Sequence, residues 1–222
     1  MTISNSTFSH NSDFGIGGGI DNNGGMMTIT ESSIAYNSGF GNGGIFNQGG
    51  TLTITKSRII HNTSDFGGGG GIFNQGGTVT ITESSIAHNT AASAGGVENS
   101  GGMMTITRSR IAYNTTGGNG GGIFNQGGTL TITESRITHN TAGYGGGISN
   151  FNDGTVTISN SGFSFNTATS GGGIFNTGRM TITESRITHN TATRINFTNI
   201  GGGGGLLNNG GTVTISNSGF SF

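Results

Sequence analysis

Glu31, Lys56, Glu83, Arg108, Glu134, Asn160, Glu184 and Asn217 occupy one recurring place along this chain. A pair of carboxylates there could act as acid and base on a glycosidic bond. No two glutamates are consecutive in the series, however, and where the signs stop alternating an asparagine intervenes. A charge-compensated ladder of stacked side chains is the expectation, since opposite charges on neighbouring strands attract mildly and like charges repel. A second series runs His10, Tyr36, His61, His88, Tyr113, His139, Phe165, His189 and Phe222. Histidine suggests metal binding, but a metal ligand does not exchange with phenylalanine, so ring stacking is the shared requirement. The aspartates Asp13, Asp21, Asp65 and Asp153 are scattered. There is no Ser-His-Asp spacing, phosphate loop or calcium-binding nonapeptide. These patterns point away from an enzyme, and neither a metal nor a cofactor is expected.

Both series belong to a repeat that runs from end to end. Its anchor is an apolar residue after a glycine run, at Ile20, Ile45, Ile72, Val97, Ile123, Ile148, Ile174 and Leu206, with steps of 25, 27, 25, 26, 25, 26 and 32 residues. Such a period implies a stack of similar units, none of which would fold alone. Within one unit, Thr51-Leu52-Thr53-Ile54-Thr55 alternates as a half-buried strand does. Ile45-Phe46-Asn47 before it and Ser57-Arg58-Ile59-Ile60-His61 after it read as two further strands, with a glycine-rich loop leading onward. The expected fold is all-β: a right-handed parallel β-helix (β-solenoid) with three short strands per coil. About eight full coils and partial ends would make a rod about 40 Å long at ~4.8 Å per coil. Residues 1–222 form a single domain in this reading, with both ends inside a coil and no polar capping unit, as expected of a fragment of a longer protein.

Two asparagine columns fit the same picture. Asn22, Asn47, Asn74, Asn99, Asn125, Asn150, Asn176 and Asn208 form one; Asn11, Asn37, Asn62, Asn89, Asn114, Asn140, Asn166 and Asn190 form the other. Asparagine tolerates turn conformations, and stacked amides can bond to one another, so both columns read as structural asparagine ladders.

Composition limits the partners. The 222 residues include 48 glycines and no proline, cysteine or tryptophan, with eight basic against nine acidic side chains. That balance provides no footprint for nucleic acid or an anionic membrane surface. No apolar run is long enough for a membrane-spanning helix. Met1-Thr2-Ile3-Ser4-Asn5-Ser6 matches the middle of the repeat and not a signal peptide.

The alternation of Gly18-Gly19-Ile20, Gly121-Gly122-Ile123 and Gly172-Gly173-Ile174 with Phe8-Ser9-His10-Asn11 and Phe163-Ser164-Phe165-Asn166 carries a resemblance. The chain resembles the polymorphic outer-membrane protein repeat, and more broadly the right-handed parallel β-helix repeat proteins of bacterial surfaces. Most units place Ile where that family has Phe in the second motif. The resemblance implies a secreted or cell-surface location and an adhesin passenger or structural spacer, with a host glycan or surface protein as partner. The chain departs from the family in lacking a signal peptide and a translocating β-barrel.

Three surfaces are candidates for function. Phe46, Phe73, Phe124 and Phe175 follow the anchor residues and by alternation point outward, either as an exposed aromatic strip or beneath neighbouring loops. The longest variable loop adds Arg194 and Phe197. Thr28 and Thr30, Thr53 and Thr55, Thr80 and Thr82, Thr105 and Thr107, Thr131 and Thr133, and Thr181 and Thr183 form a two-file grid of the kind used by ice-binding solenoids. Ice binding is therefore an alternative function, and the substrate-binding part of a polysaccharide-active enzyme is a second alternative. Open strand edges at either end also suggest end-to-end self-association.

Overall fold

A computed structural model describes residues 1–15, 17–193 and 202–221. Every described strand pairs in parallel with the equivalent strand of the next unit, building four sheets: two of nine strands and two of eight. The chain is a parallel β-helix, as its alternation and period imply. Between the eight anchor residues the backbone completes seven turns, flanked by partial turns. The expectation of eight full coils is corrected accordingly.

One coil shows why these residues form these elements. Thr51–Thr55 lies in the first sheet, Arg58–Ile60 in the second, Thr63–Ser64 in the third and Ile72–Gln75 in the fourth. Four strands per coil replace the three expected. The additional strand is only two residues long, too short to show alternation, and in sequence it merges with the glycine-rich loop. Leu52, Ile54, Ile59 and Ile72 point into a core stacked from Ile3 to Ile187, and all four are fully buried.

The corners are built by residues that do not ordinarily make them. Glu31, Lys56, Glu83, Arg108, Glu134, Asn160 and Glu184, between the first and second sheets, have φ of 45–50°. His10, Tyr36, His61, His88, Tyr113, His139, Phe165 and His189, between the second and third, have φ of 53–58°. The left-handed region is unfavourable for the Glu, Lys, Arg, Tyr and Phe side chains among them, less so for Asn160 and the histidines, and it persists where surroundings impose it. Here the residue directly after each corner supplies the restraint. Behind the first corner stands a serine: Ser32, Ser57, Ser84, Ser109, Ser135, Ser161 or Ser185. Its Oγ donates to the carbonyl two residues earlier at 2.7–2.8 Å. The same Oγ accepts the serine N–H of the adjacent coil at 3.0–3.1 Å. Behind the second corner stand the asparagines from Asn11 to Asn190, bonded amide to amide at 2.9–3.0 Å.

The other asparagine ladder closes the corner between the fourth and first sheets, with amide contacts of 2.7–2.9 Å. At the remaining corner backbones of successive coils meet directly. A Cβ at Gly44 would run into the Gly71 carbonyl and the Asn62 amide, so only glycine fits. Among the described residues no helix is long and apolar enough to cross a membrane.

Candidate binding surfaces

Outward side chains of the first sheet form a more regular array than two files of threonine. Strand register places Thr2, Thr28, Thr53, Thr80, Thr105, Thr131, Thr157, Thr181 and Thr214 in one file without interruption. Beside it runs a file of hydroxyls alone, from Ser4 and Thr30 through Thr133 and Ser159 to Thr183 and Ser216. A third file is mixed, carrying Met26, Met103 and Arg179 among threonines. Coil spacing and strand rise set this lattice at roughly 4.8 Å by 6.6 Å.

The phenylalanine column behaves differently. Phe46, Phe124 and Phe175 point away from the central core, yet they are only 2 %, 5 % and 3 % exposed, and Phe73 is half-buried. The loops between the third and fourth sheets cover them. The Gly68 backbone lies against the Phe73 ring so closely that a Cβ there would stand 3.0 Å from it. Phe124 meets the edge of Phe151, and Phe175 packs against both Phe151 and Tyr144. Of the two alternatives for this column, shielding by loops is what the structure has, and the exposed strip is corrected. Arg194 and Phe197 lie outside the described residues.

Glu98 interrupts that covered column between Phe73 and Phe124 in the ladder. It is buried, and one carboxylate oxygen has no hydrogen-bond partner in the protein. Burial pushes its pKa above the ordinary glutamate value, opposed only in part by the Ser93 hydroxyl.

The ring column is a stack. From His10 to His189 consecutive ring centroids are 4.8–5.2 Å apart, with interplanar angles of 1–26°. Each interior ring therefore spends both faces on its neighbours and shows solvent only an edge. Such a column cannot offer a flat face to a sugar or a base, although Tyr36 and Phe165 are exposed. Desolvation, followed by the nearby charges of His61 and Arg110, lowers the His88 pKa and favours the neutral ring.

At the corner of the first and second sheets, the alternating charges yield a single ion pair among the described residues, Arg108 to Glu83 at 3.0 Å. Both partners are well exposed, so the pair contributes little. Two features here and nearby escape a reading of single columns. The first outward position of the second sheet carries Arg58, Ser85, Arg110, Arg136, Gly162 and Arg186 in consecutive coils. Just past the strands of the third sheet, Phe14, Phe40 and Phe66 project from the loops of the first three coils, with Phe40 and Phe66 stacked at 4.3 Å. The recurrence of Phe-Gly at Phe14-Gly15, Phe40-Gly41 and Phe66-Gly67 is the signal that identifies them.

Comparison of the chain with protein-family models, with characterised proteins and with solved structures yields no match.

Proposed function

We propose that the chain is a non-catalytic β-helical display rod of a bacterial surface or secreted protein, which presents its outer faces to a glycan or to a surface protein of a host. The observation that carries this reading is the coupling of coils by three side-chain ladders that continue from the first units to the last. A stack held this way keeps a constant strand register, so side chains on its faces recur at fixed intervals along one axis. An extended partner is matched by such a surface better than a small substrate is. The first and second sheets and the Phe14, Phe40 and Phe66 cluster are the display surfaces, because the fourth sheet is covered. The two alternating glycine and asparagine motifs support a surface or secreted location through their likeness to the polymorphic outer-membrane protein repeat. A binding screen of the whole chain against glycans and matrix proteins tests the reading. Saturable binding to one of them is expected, and an inert chain would leave it a passive spacer.

The uninterrupted file of nine threonines favours a second reading, in which the first sheet binds ice. Its lattice of hydroxyls and methyl groups is the feature that reading requires. An inert chain in an ice-recrystallisation assay would remove it.

The last coil supports end-to-end association. Ile187, Leu206, Ile215 and Phe220 line an apolar cavity of about 330 Å³ at the last described coil. Another copy of the chain could continue the sheets there, burying exposed apolar surface.

A further inference from the structure

The second sheet and its corner concentrate the positive charge of the molecule. A shallow groove of about 430 Å³ along the axis is lined by Lys56, Arg58, Arg108, Arg110 and Arg136. These are five of the eight basic residues in a chain whose formal net charge is −1. Only Glu83 and Glu134 oppose them within the groove, and Glu83 is already engaged by Arg108.

The arrangement is unfavourable without a ligand. Arg110 and Arg136 are direct neighbours in the parallel ladder, where like charges repel. Neither forms an ion pair among the described residues, and Arg110 gains only a position 5.2 Å from the Tyr113 ring centroid. Lys56 with Arg58, and Arg108 with Arg110, each place two cations on one coil, and the intervening coil carries Glu83 and Ser85. These two cationic rungs lie two coils apart, at about 9.6 Å from the ~4.8 Å coil spacing, and Arg136 follows on the next coil beside Glu134. The hydroxyls of Thr55, Thr82 and Thr107 stand immediately before the corner in the same coils.

We propose that this groove binds a linear acidic polysaccharide, a uronate polymer whose carboxylates meet the cationic rungs and whose hydroxyls meet the threonine and serine hydroxyls between them. The groove is open along the axis, which suits a polymer and not a single anion. Guanidinium groups are well shaped for carboxylates. A nucleic acid fits less well, because the stacked rings beside the groove have no free face for bases. This assignment deepens the display reading and rests on it.

The test uses the whole chain with polygalacturonate at low ionic strength, with dextran as the neutral glycan and single-stranded DNA as the competing polyanion. The variant R58S/R110S/R136S replaces three exposed arginines by the residue already present at Ser33 and Ser85 in the same file. R179S, on the first sheet, is the control. The wild type and R179S are expected to bind polygalacturonate alike, with affinity falling as salt is added. The triple variant is expected to bind about tenfold more weakly or worse, with its melting temperature maintained. Equal affinity in the triple variant, or a preference for DNA, would overturn the proposal. Failure to bind polygalacturonate would remove the acidic site whether or not dextran binds, and the display reading would then stand or fall on the wider panel of glycans and matrix proteins.

Discussion

The Oδ1 of Asn89 accepts two hydrogen bonds from Asn62 at once, from the backbone N–H at 2.9 Å and from Nδ2 at 3.0 Å. Asn89 passes the arrangement on, donating its own Nδ2 to the Ile59 carbonyl and to Asn114 Oδ1. All of these groups are buried, so their loss leaves donors with no access to water. Asn89→Ala is expected to destabilise the rod by about 2–4 kcal/mol in urea unfolding. A loss below about 1 kcal/mol would mean that the ladder does not hold the corner.

The covered phenylalanines give a contrasting expectation. Phe124→Ala removes a buried ring and should cost about 3 kcal/mol of stability. Phe14→Ala and Phe66→Ala alter exposed rings and should stay within about 0.5 kcal/mol. Unfolding curves for the three variants check this. A Phe124→Ala protein of unchanged stability would return the column to the surface.

Glu98 predicts a dependence on pH. Its pKa is raised in the folded chain, so the folded state holds its proton more tightly than the unfolded state does. The Glu98 contribution to stability is therefore greatest below the ordinary glutamate value of about 4.3 and is lost as pH rises from there through the raised folded value. Glu98→Gln removes the ionisation and should raise the melting temperature at neutral pH. It should also reduce the difference between neutral and mildly acidic conditions. A Gln variant less stable than the wild type at neutral pH would show that the carboxylate is paired.

The ice-binding reading places its weight on the middle threonine file. Thr105→Lys puts a charge at the centre of that file at little cost to the fold, because the position faces outward. On that reading the wild type slows ice recrystallisation and the Lys variant loses most of the effect. Equal behaviour of the two proteins would separate any such activity from the first sheet.

The repeat, the inward Ile and Leu positions and both asparagine ladders were legible because each recurs at one place in nearly every unit. The third sheet was not, since Thr63–Ser64 and most of its equivalents are two residues long, too short for a period to register, and only Thr141–Tyr144 and Thr167–Ser170 extend to four. The serine ladder was hidden by its residue type: Ser57 next to Lys56 resembles an ordinary turn until a second coil shows that its Oγ accepts the Ser32 N–H. Most of the left-handed corners are occupied by Glu, Lys, Arg, Tyr and Phe as well as His, and the first five of these do not announce such a conformation. The arginine groove joins a corner column to a strand column, and neither alone shows a patch. Burial of Phe46 depended on loop packing, which varies between units and leaves no periodic trace.

The most direct test of the display function is a binding screen of the intact chain against a panel of glycans and matrix proteins, with each glycan sized before and after incubation. The account predicts saturable binding to at least one of them, weakened by substituting Phe14 and Phe66 or the arginines of the second sheet, with the glycan left at its original length. Shortening of a bound glycan, or no binding to any member of the panel, would contradict it.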